Sequence, residues 1–380
     1  MIGLRTALVL GLVGGAGGFA TQCTPRRPPP VVAAPPAPVK AGPEITVITT
    51  PVPLDAANPA KIDAGGGFTY AGGLVLTSTN TSRLHGLSDL SVNADGRLTA
   101  ISDEGDIFEA RLQLDAGGKL IGLTETKLRP LPGLDGQPLQ GKSHADAEGL
   151  AVLPNGERLV SFEGDHRIWR YAVQPDGTWS RPAVAPKPAT IFPDNEGMEA
   201  ITAYPAAGPD AYIVGGEEGE VWLCRLSSEC RSLPPQSGPD FTWGLTAFAP
   251  FAGTAIATLH RGYDPIRGWR ATVRFISDPT LPAARQRTTA ALHIDGAMPR
   301  DNFEGLALTG PPPGAPAGAT RLYLISDDGA VSKNQRTLLL AFDWVAPPRA
   351  AAASAQAGQE ARSQALSRFV SNETVSLPTI

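Results

Sequence analysis

Glu148-Gly149-Leu150-Ala151-Val152-Leu153-Pro154-Asn155-Gly156-Glu157-Arg158-Leu159-Val160-Ser161-Phe162-Glu163-Gly164-Asp165 is one short hairpin pattern written out in full. An apolar run opens after an acidic-glycine pair, and Asn155-Gly156 then makes the turn, since Asx-Gly between alternating runs is the strongest short hairpin signal. A second run of β-favouring residues follows and ends in an acidic, glycine-bearing turn. A third run, Ile168-Trp169-Arg170-Tyr171-Ala172-Val173, comes next.

The pattern returns along the chain between about Ile62 and Trp344. Openings of the same kind are Gly86-Leu87-Ser88-Asp89-Leu90, Glu196-Gly197-Met198-Glu199-Ala200, Trp243-Gly244-Leu245-Thr246-Ala247 and Glu304-Gly305-Leu306-Ala307-Leu308. Second strands are expected at Arg97-Ser102, Asp210-Val214 and Arg321-Ser326, and the acidic turns recur at Asp103-Glu104-Gly105, Glu217-Glu218-Gly219 and Asp327-Asp328-Gly329. Periods of about 40 to 50 residues with four strands each belong to propeller blades, and the stretches lack the 3.6-residue periodicity of helical repeats. The expected fold is all-β: a β-propeller of about six four-stranded antiparallel blades, with five or seven also allowed by the length.

Composition agrees with a turn-rich globular chain. The 380 residues include 42 glycines and 37 prolines, with 42% hydrophobic and 18% charged residues; this is enough apolar material for a substantial core. The net charge of -5, with no basic cluster longer than Arg26-Arg27, argues against nucleic acid as a partner.

Residues 1–22 read as a signal peptide: Arg5, then an uncharged run from Thr6 to Gln22 that is too short and glycine-rich for a membrane span. Two processing routes are open, cleavage after Ala20 or cleavage before Cys23, the second of which would attach lipid and provide the only expected membrane contact. Residues 23–60 form a proline-rich linker leading into the domain, 61–346 the propeller, and 347–380 an alanine-rich tail or rim helix. Export would leave the protein periplasmic or extracellular, and a monomer is expected. Cys224 and Cys230, close together in an exported chain, are expected to close a small disulfide loop.

The strings His144-Ala145-Asp146-Ala147-Glu148-Gly149-Leu150-Ala151, Asp194-Asn195-Glu196-Gly197-Met198-Glu199-Ala200-Ile201 and Asp301-Asn302-Phe303-Glu304-Gly305-Leu306-Ala307 resemble the repeated acidic-Glu-Gly-apolar signature of the phytase-like family, labelled "esterase-like activity of phytase". The likeness runs from about Tyr70 to Trp344. It implies a β-propeller and a phosphoesterase or esterase activity, without fixing a substrate. Two copies depart from the pattern, with His85 before Gly86 and Trp243 before Gly244.

Innermost strands line a propeller's channel, so Glu148, Glu196 and Glu304 are expected to converge on the axis. Carboxylates that close repel one another unless a hard cation neutralises them, and calcium takes six to eight oxygens; calcium is therefore the expected cofactor. His144, Asp146 and Glu148 would share a face of an extended segment, whereas Glu199, three residues past Glu196, would point away in a regular strand and is the weaker ligand candidate unless the opening turn is irregular. His144 is the first candidate for general base and His85 the second, with Asp146 beside them. Lys142, Arg261 and Arg300 are candidates to hold a substrate anion. The turns at Glu217-Glu218 and Asp327-Asp328 read as solvated rim acids or secondary ion sites. Each acidic turn also has a plain structural reading, as a cap on nearby backbone N–H groups.

No G-x-S-x-G elbow, H-E-x-x-H or G-x-x-x-x-G-K-[ST] string occurs, which argues against a classical serine esterase. The activity that the resemblance implies, joined to a metal at the acidic positions, makes a water-based, metal-assisted hydrolysis of a small phosphoester or ester the leading expectation. A lactonase-type calcium propeller is a second reading, and a non-catalytic periplasmic binding or scaffold propeller a third.

Overall fold

The computed structural model describes residues 43–194, 196–329 and 335–346; the expected signal peptide, most of the proline-rich linker and the alanine-rich tail lie outside them. Four sheets of four antiparallel strands follow one another, each running from innermost to outermost strand in chain order, apart from short loops. The first blade is Leu87–Val92, Arg97–Ser102, Asp106–Leu114 and Leu120–Pro130, and the second is Ala147–Val152, Arg158–Phe162, Arg167–Tyr171 and Ala183–Ala185. The third is Ala200–Ala203, Ala211–Gly215, Val221–Arg225 and Ser228–Leu233, and the fourth Trp243–Pro250, Ile256–Asp264, Gly268–Ile276 and Thr288–Ile294.

The fifth blade is built from both ends of the domain. Asn302–Thr309, Thr320–Asp327 and Leu338–Trp344 come from the end of the domain, whereas Phe68–Ser78, with Val47–Pro51 outside it, comes from the start. Leu338–Trp344 pairs antiparallel to Phe68–Ser78, from Leu338 opposite Val75 to Trp344 opposite Phe68. This closes the ring with backbone hydrogen bonds and leaves only short outer edges unpaired. The propeller therefore has five blades, the lower of the expected counts. Val47–Pro51 and Phe68–Ser78 add strands to the last blade and build no blade of their own.

Five buried apolar clusters fill the five spaces between neighbouring blades. Ile101, Ile107, Leu150 and Phe162 lie between the first and second, and Met198, Ile201, Leu159 and Tyr212 between the second and third. Ala200, Ile213, Leu245 and Phe248 fill the next space, Leu259, Phe275, Leu324 and Phe342 the fourth, and Leu87, Phe108, Leu339 and Ile325 the last. Successive strand residues point to opposite faces, so one strand feeds two clusters. Ala200 and Ile201 do this, as do Leu339 and Leu340. The expected disulfide between Cys224 and Cys230 is present, consistent with an exported protein. Trp169 packs in the space between the first two blades.

The inner strands share an irregularity that positions the site. In the first, second, fourth and fifth blades the pairing of the inner strand with its neighbour slips by one residue, leaving Ser88, Glu148, Thr246 and Glu304 as bulged residues. Glu199, directly before the start of the third inner strand at Ala200, occupies the same place. A bulge adds a residue outside the ladder and re-aims its side chain.

Candidate functional site

The five bulge positions form a ring at one end of the axis: Ser88, Glu148, Glu199, Thr246 and Glu304, all buried. The expected convergence of Glu148 and Glu304 is found. Glu196 is exposed, and Glu199 takes the place expected for it. The reason is register. Gly86, Gly197 and Gly244 lie three residues before the position held by Gly149 and Gly305, so the glycine of Glu196-Gly197 is not the glycine of Glu148-Gly149. Both positions need a small residue for a different reason. At Gly149 a Cβ would approach the Glu199 carbonyl oxygen to 2.6 Å, whereas at Gly244 it would approach Glu217 Oε1 to 2.7 Å.

A second ring comes from the residues that end the second strands. Asp103 and Glu163 donate their N–H groups to the Gly86 and Asp146 carbonyl oxygens, each at 2.9 Å; Arg261 pairs with Gly244 and Asp327 with Asn302. Glu217, whose carbonyl oxygen accepts from Leu245 N at 2.8 Å, is the third blade's member. Asp103, Glu163, Glu217 and Asp327 thus face the mouth. Of the two readings of these turns, the half-buried Glu217 and Asp327 fit the secondary ion site better than the solvated rim acid, because one propeller end gathers all five strand junctions.

Two cations are built into this acidic mouth. Lys142 Nζ donates to Asp103 Oδ2 and Asp146 Oδ1, both at 2.8 Å. Arg261 lies 3.4 Å from both Glu217 Oε1 and Glu304 Oε1. Asn302 Nδ2 adds a 2.7 Å bond to Glu304 Oε1 and a 3.2 Å bond to Asp327 Oδ2. Among the described residues acids still outnumber cations, and the titration of the mouth reflects this. Burial, then the charges of Glu199, Glu304 and Asp146, pushes Glu148 well above the usual carboxylate range. Glu304 is raised by burial against the pull of Arg261. Glu199 is pushed up to about 8 by burial and the Glu217 charge, and Glu163 to about 7 by burial and Asp146.

One oxygen from each of Asp146, Glu148 and Glu163 lies within 4.8 Å of the others. The donor set is all carboxylate oxygen, with Glu199 close enough for its charge to act on Glu148; this fits a hard divalent cation.

The other expected site residues are spread more widely. Residues 142–145 form a single helical turn, which breaks the alternation expected to align His144 with Asp146 and Glu148. His144 is exposed, its Nδ1 3.8 Å from Asp165. His85 joins Asp103 and Glu104 on the first blade's side of the mouth. Arg300 bonds the Arg267 carbonyl oxygen and lines a separate groove with Trp269, Met298 and Arg336. Sequence reasoning missed Glu163 as a site residue and ranked Glu199 below Glu196, although the irregular opening that would admit Glu199 is the one present. Their signal was present in the repeat, as the residue after the second strand for Glu163 and the residue two past the misleading Gly197 for Glu199.

Solved structures similar to this chain include the β-propeller domain of Myceliophteria thermophila Cps50 (Swd1), at 11% identity and TM-score 0.35, covering 81% of this chain and 98% of that one. Another is the PQQ-bound aldose sugar dehydrogenase of Streptomyces coelicolor, at 14% identity and TM-score 0.37, covering 79% of this chain and 99% of that one. A third is the virginiamycin B lyase of Staphylococcus aureus, at 10% identity and TM-score 0.36, covering 79% and 100%. None of the three bears on the chemistry of this mouth. No curated protein matches. The profile described as "Phytase-like: Esterase-like activity of phytase" matches residues 82–330. That span runs from the first blade into the fifth and contains every member of both rings, and the chain belongs to the phytase-like family.

Proposed function

We propose that this protein is an exported, metal-dependent hydrolase of phosphoester or carboxylic ester bonds, with calcium held at the channel mouth. The observation that carries this reading is the packing of the Asp146, Glu148 and Glu163 carboxylates into one oxygen-only group inside a mouth whose acids exceed its cations. When bound, the ion would polarise the ester oxygen and acidify a water.

The chain's own residues supply the rest. Glu199, pushed up to about 8, holds or accepts a proton near neutral pH, the range in which a general base works best. Arg261, between Glu217 and Glu304, offers a guanidinium to an anionic substrate oxygen. Lys142 is committed to Asp103 and Asp146 and positions those two carboxylates. The substrate is a small molecule able to enter the acidic mouth.

The test compares chelator-stripped and calcium-loaded protein on p-nitrophenyl phosphate and p-nitrophenyl acetate. Calcium-dependent turnover of one of them is expected, and Glu148→Gln should lower kcat by about a hundredfold or more while losing bound calcium and keeping the far-UV circular dichroism spectrum. Hydrolysis of neither ester by calcium-loaded protein, or a Glu148→Gln variant with wild-type calcium content and rate, would overturn the reading.

A further inference from the structure

The mouth contains a second set of donors whose chemistry differs from the carboxylate group. His85, Asp103 and Glu104 each offer one ligand atom, and the three atoms lie within 4.8 Å of one another. His85 comes from the turn that opens the first inner strand, and Asp103 and Glu104 from the turn between the second and third strands of the same blade. Backbone pairing locks the two turns together, with Asp103 N donating to the Gly86 carbonyl oxygen at 2.9 Å.

Two buried atoms of this set have no hydrogen-bond partner, His85 Nδ1 and Asp103 Oδ1. The other Asp103 oxygen, Oδ2, is held by Lys142 Nζ at 2.8 Å, which fixes the carboxylate and leaves Oδ1 to find something else. Gly86 sits between them at φ +60°, and a Cβ there would fall 1.8 Å from Asp103 Oδ1. Only glycine lets this carboxylate lie against the His85 turn. Among the described residues, the nearby basic side chains are already engaged: Arg83 makes two 2.7 Å bonds to Asp106, and Lys142 bridges Asp103 and Asp146. A buried ring nitrogen and a buried carboxylate oxygen, both unpaired and close to a second carboxylate, that of Glu104, are the donors a cation would satisfy.

We propose that His85, Asp103 and Glu104 form a site for a zinc-class divalent cation, separate from the Asp146, Glu148 and Glu163 group. An imidazole with two carboxylates suits zinc, cobalt or manganese, whereas calcium prefers oxygen alone. Lys142 lies between the two groups and keeps their negative charges from adding directly. This site stands on its own residues, and its outcome is independent of whether the carboxylate group binds calcium or the protein hydrolyses esters.

The experiment uses the full chain, stripped with chelator, held in excess calcium and titrated with cobalt(II), whose visible d–d absorption reports nitrogen and oxygen ligation. Zinc content by elemental analysis is measured in parallel. Wild type is expected to develop the band at one equivalent and to retain one zinc. His85→Gln and Asp103→Asn should lose the band, with at least a tenfold weaker cobalt affinity, while Glu148→Gln keeps it. Glu104→Gln, a change on an accessible turn, provides the same reading if either of the first two variants fails to fold. Absence of a cobalt band in wild type, or a band that survives in the folded His85→Gln or Glu104→Gln variant, would overturn the proposal.

Discussion

Asp89 shows what a single side chain does at the axis. It stands where Gly149 and Gly305 stand in their blades, and its buried carboxylate accepts from Leu90 N and Leu150 N at 2.8 Å and from Leu306 N at 3.3 Å. Three inner strands, from the fifth, first and second blades, are thereby tied to one carboxylate. Gly305 must be glycine partly for this reason, since its Cβ would lie 2.8 Å from the Asp89 Cα. Burial pushes the Asp89 carboxyl well above the usual range, against the pull of these N–H groups. Asp89→Ala leaves buried backbone donors unpaired, at about 1–3 kcal/mol for each unsatisfied group. We expect a loss of about 3 kcal/mol or more in urea unfolding; a change under about 0.5 kcal/mol would show that water replaces the carboxylate. Nothing in Ser88-Asp89-Leu90 marks this role, because the donors it meets come from blades about 60 and 220 residues away in sequence. The Glu196 expectation failed for a related reason: Glu-Gly is a conspicuous pair, but two glycine positions three residues apart serve two different close approaches, and only backbone register separates them.

At the scale of the element, the strands differ in how openly they declare themselves. Inner and second strands alternate clearly and are joined by Asx-Gly turns at Asp95-Gly96 and Asn155-Gly156, so hairpin physics alone locates them. Outermost strands do not. Ser228–Leu233 is exposed at four of its six positions, and an edge strand with little to bury carries no apolar pattern. Leu338–Trp344 lies at the other extreme, buried along its whole length because blades pack on both of its faces. Phe342 is fully buried between the fourth and fifth blades, its ring 5.3 Å from that of Tyr70. Phe342→Ala should therefore cost about 3–5 kcal/mol, read from the denaturation midpoint at unchanged m. It should also weaken the closure by which Phe68–Ser78 joins the ring, exposing residues 47–78 to limited proteolysis first.

For the whole molecule, the acidic mouth makes stability depend on pH and calcium together. Glu199 and Glu163 are raised from about 4.5 to about 8 and about 7, and Glu148 and Glu304 move the same way. Between about pH 4.5 and 8 the calcium-free fold keeps protons that the unfolded chain has lost. The folded state then binds more protons, and stability falls as pH rises through that window. A bound cation replaces those protons, so its stabilising effect grows over the same window. Thermal unfolding at pH 5 and pH 8, with and without calcium, should show Tm falling with pH in the calcium-free protein and a larger calcium increment at pH 8. An increment independent of pH would mean that calcium binds away from these acids.

Local rules were enough to reveal the propeller class, the hairpins, the disulfide and the convergence of Glu148 with Glu304, because turn chemistry, alternation and a repeat period act over a few residues or simply recur. The blade count, the membership of Glu163 in the mouth, the replacement of Glu196 by Glu199 there, and the role of Asp89 were decided only when the ring closed. Each depends on which strand lies beside which and in what register, and a one-residue bulge or a three-residue shift in a glycine re-aims a side chain without leaving a mark in composition.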